Sequence, residues 1–311
     1  MASEPPTWRD VTNHHQTSGS RHLRRLREHS ERFWKPFVYS SAYLAFIAVA
    51  EVLIVMSLLS LPLSPAPIVV GLITFTIYTN DRLLDLDSDA ASNPQRTAFV
   101  RQYRHPLYVL SVLAYGLAVA LAAVGGPLAF GLTLFPGVVW VLYAMDWIST
   151  SSVSIQRLKD VLFVNSVLVA TAWSLTIVLL PIAYANATVT PAAGVIFGYF
   201  VLATFVNTEI ANVRDVKSDR ASGVSTLPTV LSVARTRHAL YGITLLTAAI
   251  LGAGVIADYV TALAAGVLSV GLVCLLGVTA AIGRADDKWL SIGAECTRLP
   301  VFALLVLLTL F

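Results

Sequence analysis

Seven of the 18 acidic residues stand in two short segments whose spacing admits a specific chemistry. The first reads Thr79-Asn80-Asp81-Arg82-Leu83-Leu84-Asp85-Leu86-Asp87-Ser88-Asp89, four carboxylates in nine positions. On a continuing helix Asp81, Asp85 and Asp89 are spaced i, i+4, i+8 and fall within about 80° of one another, while Asp87 points elsewhere. The second reads Asn207-Thr208-Glu209-Ile210-Ala211-Asn212-Val213-Arg214-Asp215-Val216-Lys217-Ser218-Asp219-Arg220. Here Asp215 and Asp219 repeat the i, i+4 spacing, with Asn212 and Thr208 on the same stripe and Glu209 on its flank. Like charges at this spacing repel and weaken a helix unless a cation compensates. Mg²⁺ is the natural cation, because it takes hard oxygen ligands and is usually held by one or two carboxylates plus substrate phosphates. Two such clusters facing each other would hold two or more Mg²⁺ ions against a diphosphate, with nearby Arg and Lys completing the anion site. The plain alternative is a wetted loop in which charge is cheap.

The rest of the chain supplies the frame. It has 311 residues, 56% hydrophobic and 13% charged, with mean hydropathy +0.73. A soluble domain has about a quarter of its residues charged, so this composition speaks against a water-soluble protein. Nine apolar windows are long enough to cross a bilayer, near 37–60, 64–81, 106–124, 127–145, 161–185, 192–213, 238–257, 259–282 and 289–311. Turn chemistry separates several of them: Leu61-Pro62 with Pro65 and Pro67, Gly125-Gly126-Pro127, and Asn186 to Pro191. Apart from Arg298 inside the ninth window, Lys and Arg fall before the first window and in alternate loops, with Arg96, Arg101 and Arg104 after window two and Arg214, Lys217, Arg220, Arg235 and Arg237 after window six. The loops between windows 1 and 2, 3 and 4, 5 and 6, and 7 and 8 contain none. Positive loops stay cytoplasmic, so this asymmetry predicts an all-α polytopic membrane protein with nine transmembrane helices, its N-terminus cytoplasmic and its C-terminus outside.

Both acidic segments then lie at cytoplasmic ends of apolar spans, each followed by Arg, and this recurrence is hard to attribute to solubility. Residues 1–35 form a basic cytoplasmic segment, read either as an amphipathic helix on the anionic leaflet or as a solvated tail. The membrane domain covers 36–311. A net charge of +3 gives no reason to expect nucleic acid, and Cys274 and Cys296 form neither a disulfide framework nor a zinc pattern.

With these two motifs in these places the chain resembles the UbiA superfamily of intramembrane prenyltransferases, whose members have nine helices around a central cavity and motifs written NDxxDxxxD and DxxxD. The stretch Asn212-Val213-Arg214-Asp215-Val216-Lys217-Ser218-Asp219-Arg220-Ala221-Ser222-Gly223-Val224-Ser225-Thr226-Leu227-Pro228 is similar to the family's DxxxDxxxGxxTLP. In the first motif, placing Asp85 and Asp89 on the last two aspartates puts Asp81 at the family's Asn and Arg82 at its first Asp. Starting from Asn80-Asp81 instead leaves Leu84 where the next Asp should be. The first alignment is preferred because it keeps the Asp-x-x-x-Asp pair.

The resemblance implies a Mg²⁺-dependent transfer of a prenyl group from a polyprenyl diphosphate to a lipophilic acceptor among membrane lipids, in a prokaryotic cell membrane with the active site on the cytoplasmic side. It implies metal ligands Asp81, Asp85, Asp89, Asn212, Asp215 and Asp219, and diphosphate contacts from Arg82, Arg96, Lys159 and Arg220. Arg96 and Lys159 serve the positive-inside rule equally well. Tyr78, Phe75, Trp173, Tyr199 and Phe205 adjoin the motifs as cavity wall or ordinary packing. Asn165 faces the cavity or another helix. Glu51, an isolated carboxylate at membrane depth, lines the acceptor pocket, accepts a proton or is structural. Glu295 and Arg298, at i, i+3, form a structural pair. Two other activities remain open: a prenyl-diphosphate cyclase of the same superfamily, and a secondary transporter, which would place its acids nearer the midplane.

Overall fold

The computed structural model describes residues 34–87, 90, 93–144 and 164–310. Among them every regular element is helical. A short helical turn over 34–39 leads into α1 (Ala42–Leu58). Then follow α2 (Ala66–Leu84), α3 (Pro94–Gln102), α4 (Arg104–Val124), α5 (Gly126–Ala144), α6 (Val164–Tyr184), α7 (Pro191–Ser222), α8 (Leu227–Leu231), α9 (Val233–Ile256), α10 (Ala262–Ala281), α11 (Asp287–Glu295) and α12 (Arg298–Leu310). The basic segment expected over 1–35 falls almost wholly outside the described residues.

The longer helices pack in chain order into a closed ring: α1 on α2, α2 on α4, then α5, α6, α7, α9, α10 and α12, which returns to α1. Each of the nine apolar windows falls on a helix of this ring, the ninth on the pair α11 and α12. Six helices, the last of them running across that pair, are long and apolar enough to cross a membrane, whereas Ala42–Leu58 and Gly126–Leu142 are apolar but shorter. The protein is an integral membrane protein.

A bilayer reverses the side-chain sizes on the two faces of a helix. In α4 the buried face is Leu107, Ser111, Ala114, Ala118 and Ala122, mostly small side chains, while Leu110, Leu113 and Leu117 point outward. Lipid is as apolar as leucine, so little is gained by burying large side chains, and small ones let helix backbones approach. Hydroxyls inside the ring bond back to their own helix, as Thr74 does to the Val70 carbonyl (2.6 Å) and Thr244 to Leu240 (2.9 Å). Helix α7 is 32 residues long, about 48 Å, and exceeds a hydrocarbon core of about 30 Å. Its N-terminus is capped by Thr190, whose hydroxyl accepts from the Ala193 amide, and it ends at Gly223 with φ 75°. Its last turns, carrying Arg214 to Arg220, therefore extend beyond the apolar layer.

One buried ion pair joins four helices. Arg298, fully buried, sets Nε 3.4 Å from a Glu51 carboxylate oxygen, and the Trp173 indole N–H donates to the other at 2.9 Å. The guanidinium also lies 5.6 and 5.7 Å from the ring centres of Tyr199 and Phe200. This overturns the expected Glu295–Arg298 pair. An i, i+3 pairing needs a continuous helix, and the helix breaks between α11 and α12, where Thr297 bonds back to the Ala294 carbonyl (2.7 Å) and turns Arg298 toward α1.

Removing one partner strands a buried charge, so Glu51→Ala and Arg298→Ala are each expected to cost about 3–5 kcal/mol. Glu51→Gln combined with Arg298→Met is expected to cost less than the sum of its single changes. Unfolding in detergent across the double-mutant cycle measures both.

Candidate active site at the helix ends

The first acidic segment does not continue as one helix. Helix α2 stops at Leu84, and Asp85 is its C-cap with φ −93° and ψ 22°, its amide bonding the Asp81 carbonyl at 2.9 Å. The expected single stripe of Asp81, Asp85 and Asp89 is thus interrupted at its middle member. The physical reason is local: aspartate is a poor helix former, and negative charge opposes the dipole at a helix C-terminus. Asp87 points outward to an exposed pair with Arg101 at 3.3 Å. Asp89 lies outside the described residues.

Arg82 is buried and turned inward, with Nη1 donating to the carbonyls of Val38 (3.1 Å) and Tyr39 (2.8 Å). Those carbonyls sit beside the break ahead of α1, where buried Ser41 holds a left-handed φ of 71°. The Thr79 hydroxyl donates to the Ser40 carbonyl next to them (3.2 Å). Arg82 therefore secures this strained turn. Asn80 directs its amide to the Thr76 carbonyl and the Ser111 hydroxyl, at 2.8 and 3.1 Å, and so joins α2 to α4.

The second segment is a continuous part of α7. Arg214 bonds both carboxylate oxygens of Asp215, Nε at 2.9 Å and Nη2 at 2.5 Å. Asp219 accepts from the Thr226 hydroxyl at 3.4 Å, and Arg220 is exposed in the last turn. Burial, and then the Asp215 charge, push the Asp219 carboxyl up to about 6.

Glu209, which the spacing left on a flank, is a buried hub. It accepts the Ser166 hydroxyl at 2.6 Å and the Leu227 amide at 3.3 Å, and Asn212 donates to Ser166 at 3.4 Å. This network ties α6 and α7 to the start of α8 and folds the loop carrying Thr226 over Asp219. Its sequence signal was present, a carboxylate within an apolar span, but its partner lies 18 residues further on.

One arginine of each segment, Arg82 and Arg214, acts on the charge of Glu295. Its carboxylate accepts the Tyr43 hydroxyl, and the charges of Arg82, Arg214 and Arg96 all act on it. Arg96 is brought there by α3, which rests on the turn ahead of α1: Tyr39 donates to the Gln95 carbonyl oxygen at 3.0 Å and its ring lies 5.8 Å from that of Phe99. Tyr78 and Trp173 meet edge to face at 6.5 Å, and Tyr78 and Glu295 are half-buried. Tyr199 and Phe205 are buried packing, the latter against Ala170 and Leu227. Lys159 lies outside the described residues, as does the side chain of Asn165. Glu51 is spent on Arg298 and Trp173.

Among the described residues no three acidic, His or Cys side chains gather closely enough to hold a metal ion by themselves. The donor set nonetheless fits Mg²⁺ as a carboxylate-poor, phosphate-assisted ion: Asp215 and Asp219 repel each other on one helix face, and a divalent cation relieves that repulsion.

The model of the UbiA prenyltransferase family matches residues 44–291. Among solved structures, a UbiA homologue from Archaeoglobus fulgidus bound to DMAPP and Mg²⁺ is similar at 16% identity and TM-score 0.57, over 89% of this chain and 98% of that one. An apo UbiA homologue from Aeropyrum pernix K1 gives 13% identity and TM-score 0.62, over 86% and 98%. A digeranylgeranylglyceryl phosphate synthase structure gives 12% and 0.55, over 88% and 98%. No curated protein sequence matches the chain significantly.

Folded Asp219 holds its proton up to about pH 6, whereas an unfolded aspartate releases it near 3.8. The folded state thus binds more protons between these values, and stability from this group falls as pH rises through 6. With a chelator present, Asp219→Asn is expected to unfold at a higher temperature than wild type at pH 8, by a margin that shrinks as pH is lowered from 6 toward 3.8, and Mg²⁺ is expected to narrow the pH 8 gap. Glu209→Ala leaves the Leu227 amide and Ser166 hydroxyl without their acceptor, so a loss of about 1–3 kcal/mol is expected. Limited proteolysis should then cut faster within residues 220–226.

Proposed function

The chain belongs to the UbiA prenyltransferase family and is a membrane prenyltransferase; on that premise we propose that it transfers a prenyl group from a polyprenyl diphosphate to a lipophilic acceptor with Mg²⁺, releasing diphosphate. The observation that carries this reading is the gathering of charge near α11: arginines of α2, α7 and α3 act on Glu295, and Arg214 of α7 pairs with Asp215 while its Nη1 lies 3.5 Å from Ser291 on the helix that carries Glu295. Nine spans, a cytoplasmic N-terminus, an outer C-terminus and a cytoplasmic-side site follow from the Lys and Arg pattern.

In this reading Asp81, Asp85, Asp215 and Asp219, with the Asn212 carbonyl oxygen, hold two or more Mg²⁺ ions, and the motif adds Asp89. Bound Mg²⁺ supplies charge stabilisation to the departing diphosphate. Arg96, Arg214 and Arg220 face the diphosphate with Lys159, while Arg82 serves mainly by fixing the turn over which α3 and Arg96 are laid. Tyr78 and Trp173 border the space where an allylic cation forms, and their ring faces stabilise it and keep water away. The bound DMAPP and Mg²⁺ of the Archaeoglobus fulgidus homologue support the substrate class and the metal. The transporter reading loses its best residue, because Glu51 is committed to a buried ion pair.

The test is diphosphate release from prenyl diphosphates of several lengths by purified protein in liposomes, with membrane lipid extract as acceptor source, with and without Mg²⁺. Release is expected to require Mg²⁺ and to fall roughly 100-fold or more in Asp85→Asn and Asp219→Asn, with folding unchanged. Release independent of the extract would point to the cyclase. Normal turnover in both variants would remove the metal-site model.

A further inference from the structure

Glu295 stands apart from both aspartate-rich segments, on the last turn of α11, and the proposed chemistry gives it no part. Its surroundings are nonetheless those of the site. The charges of Arg82 at the end of α2, Arg214 of α7 and Arg96 of α3 act on it, while Tyr43 donates its hydroxyl from α1. Arg214 is at the same time bonded to Asp215, with Nη1 3.5 Å from the Ser291 hydroxyl on α11. Tyr43 and the adjoining apolar cluster, with Tyr78, Phe99, Ile292 and Cys296, hold α1, α2, α3 and α11 together around this point. Guanidinium groups from different elements repel one another, and a shared carboxylate favours their approach.

We propose that Glu295 is a positioning residue for the diphosphate site: its carboxylate draws Arg96 and Arg214 toward one point, and a bound diphosphate competes with it for those two groups. The inference rests on the reading that this site takes a diphosphate. In the competition the substrate's larger charge prevails, and once the prenyl group has left, the carboxylate helps the diphosphate product to go. A carboxylate that merely held helices together would lose binding when neutralised. A competing one gains it.

Calorimetric titration of the full-length protein in detergent with inorganic diphosphate, in the presence of Mg²⁺, separates these cases. Glu295→Gln keeps an acceptor for Tyr43 and removes the charge, and it is expected to bind diphosphate about tenfold tighter, with a steeper salt dependence. Glu295→Ala, which removes both, should also bind tighter, and Glu295→Asp, which keeps the charge, should stay within about twofold of wild type. In turnover Glu295→Gln is expected to lower KM for prenyl diphosphate and kcat together. Equal or weaker diphosphate binding in the two neutral variants overturns the inference and leaves the functional reading standing. Wild-type protein that binds no diphosphate overturns both.

Discussion

Inside a bilayer no water is available to satisfy a polar group, so each charged or hydrogen-bonding side chain at depth needs a partner within the protein. That requirement organises this molecule. Glu51 finds Arg298 and Trp173, Arg82 finds the carbonyls of a strained turn, and Glu209 finds a serine and an amide. Each of these contacts is long-range in sequence and joins different helices. Polar partners therefore fix helix register here, a task that apolar packing performs weakly when lipid is as good a neighbour as leucine.

Much of the architecture was legible in the sequence because it depends on composition and periodicity. Apolar windows and the alternation of Lys and Arg located the helices, and DxxxDxxxGxxTLP located the second motif. What was not legible depended on where helices stop. The stripe through Asp85 assumed a helix that in fact ends there, and the Glu295–Arg298 pair assumed one that breaks at Thr297. A helical wheel shows which residues share a face only while the helix lasts, and both breaks fall where polar residues compete for the backbone. Glu51 and Glu209 were visible as carboxylates in apolar spans, but partners 122 and 18 residues away cannot be read from local spacing. Lys159, Asp89 and the Asn165 side chain keep the standing that the motif and the positive loops gave them.

Arg82 shows how a motif departure is absorbed. Where the family pattern has a carboxylate, this chain has a cation, and the structure gives that cation carbonyl partners and the field of Glu295. The cation is held by backbone oxygens of the turn ahead of α1, and its charge acts on an acid from a different helix. Substitution at one motif position is thus coupled to a residue over 200 positions away.

The inverted face of α4, alanines inward and leucines outward, changes what counts as damage. In a soluble core, truncation is the harmful change because it leaves a void. Along this helix an outward leucine can be exchanged for another apolar residue with little consequence, while one added methyl group on Ala118 or Ala122 wedges neighbouring helices apart. On this face of α4 the smallest residues set how closely the neighbouring helices approach, and enlargement rather than loss is the change to which it is vulnerable.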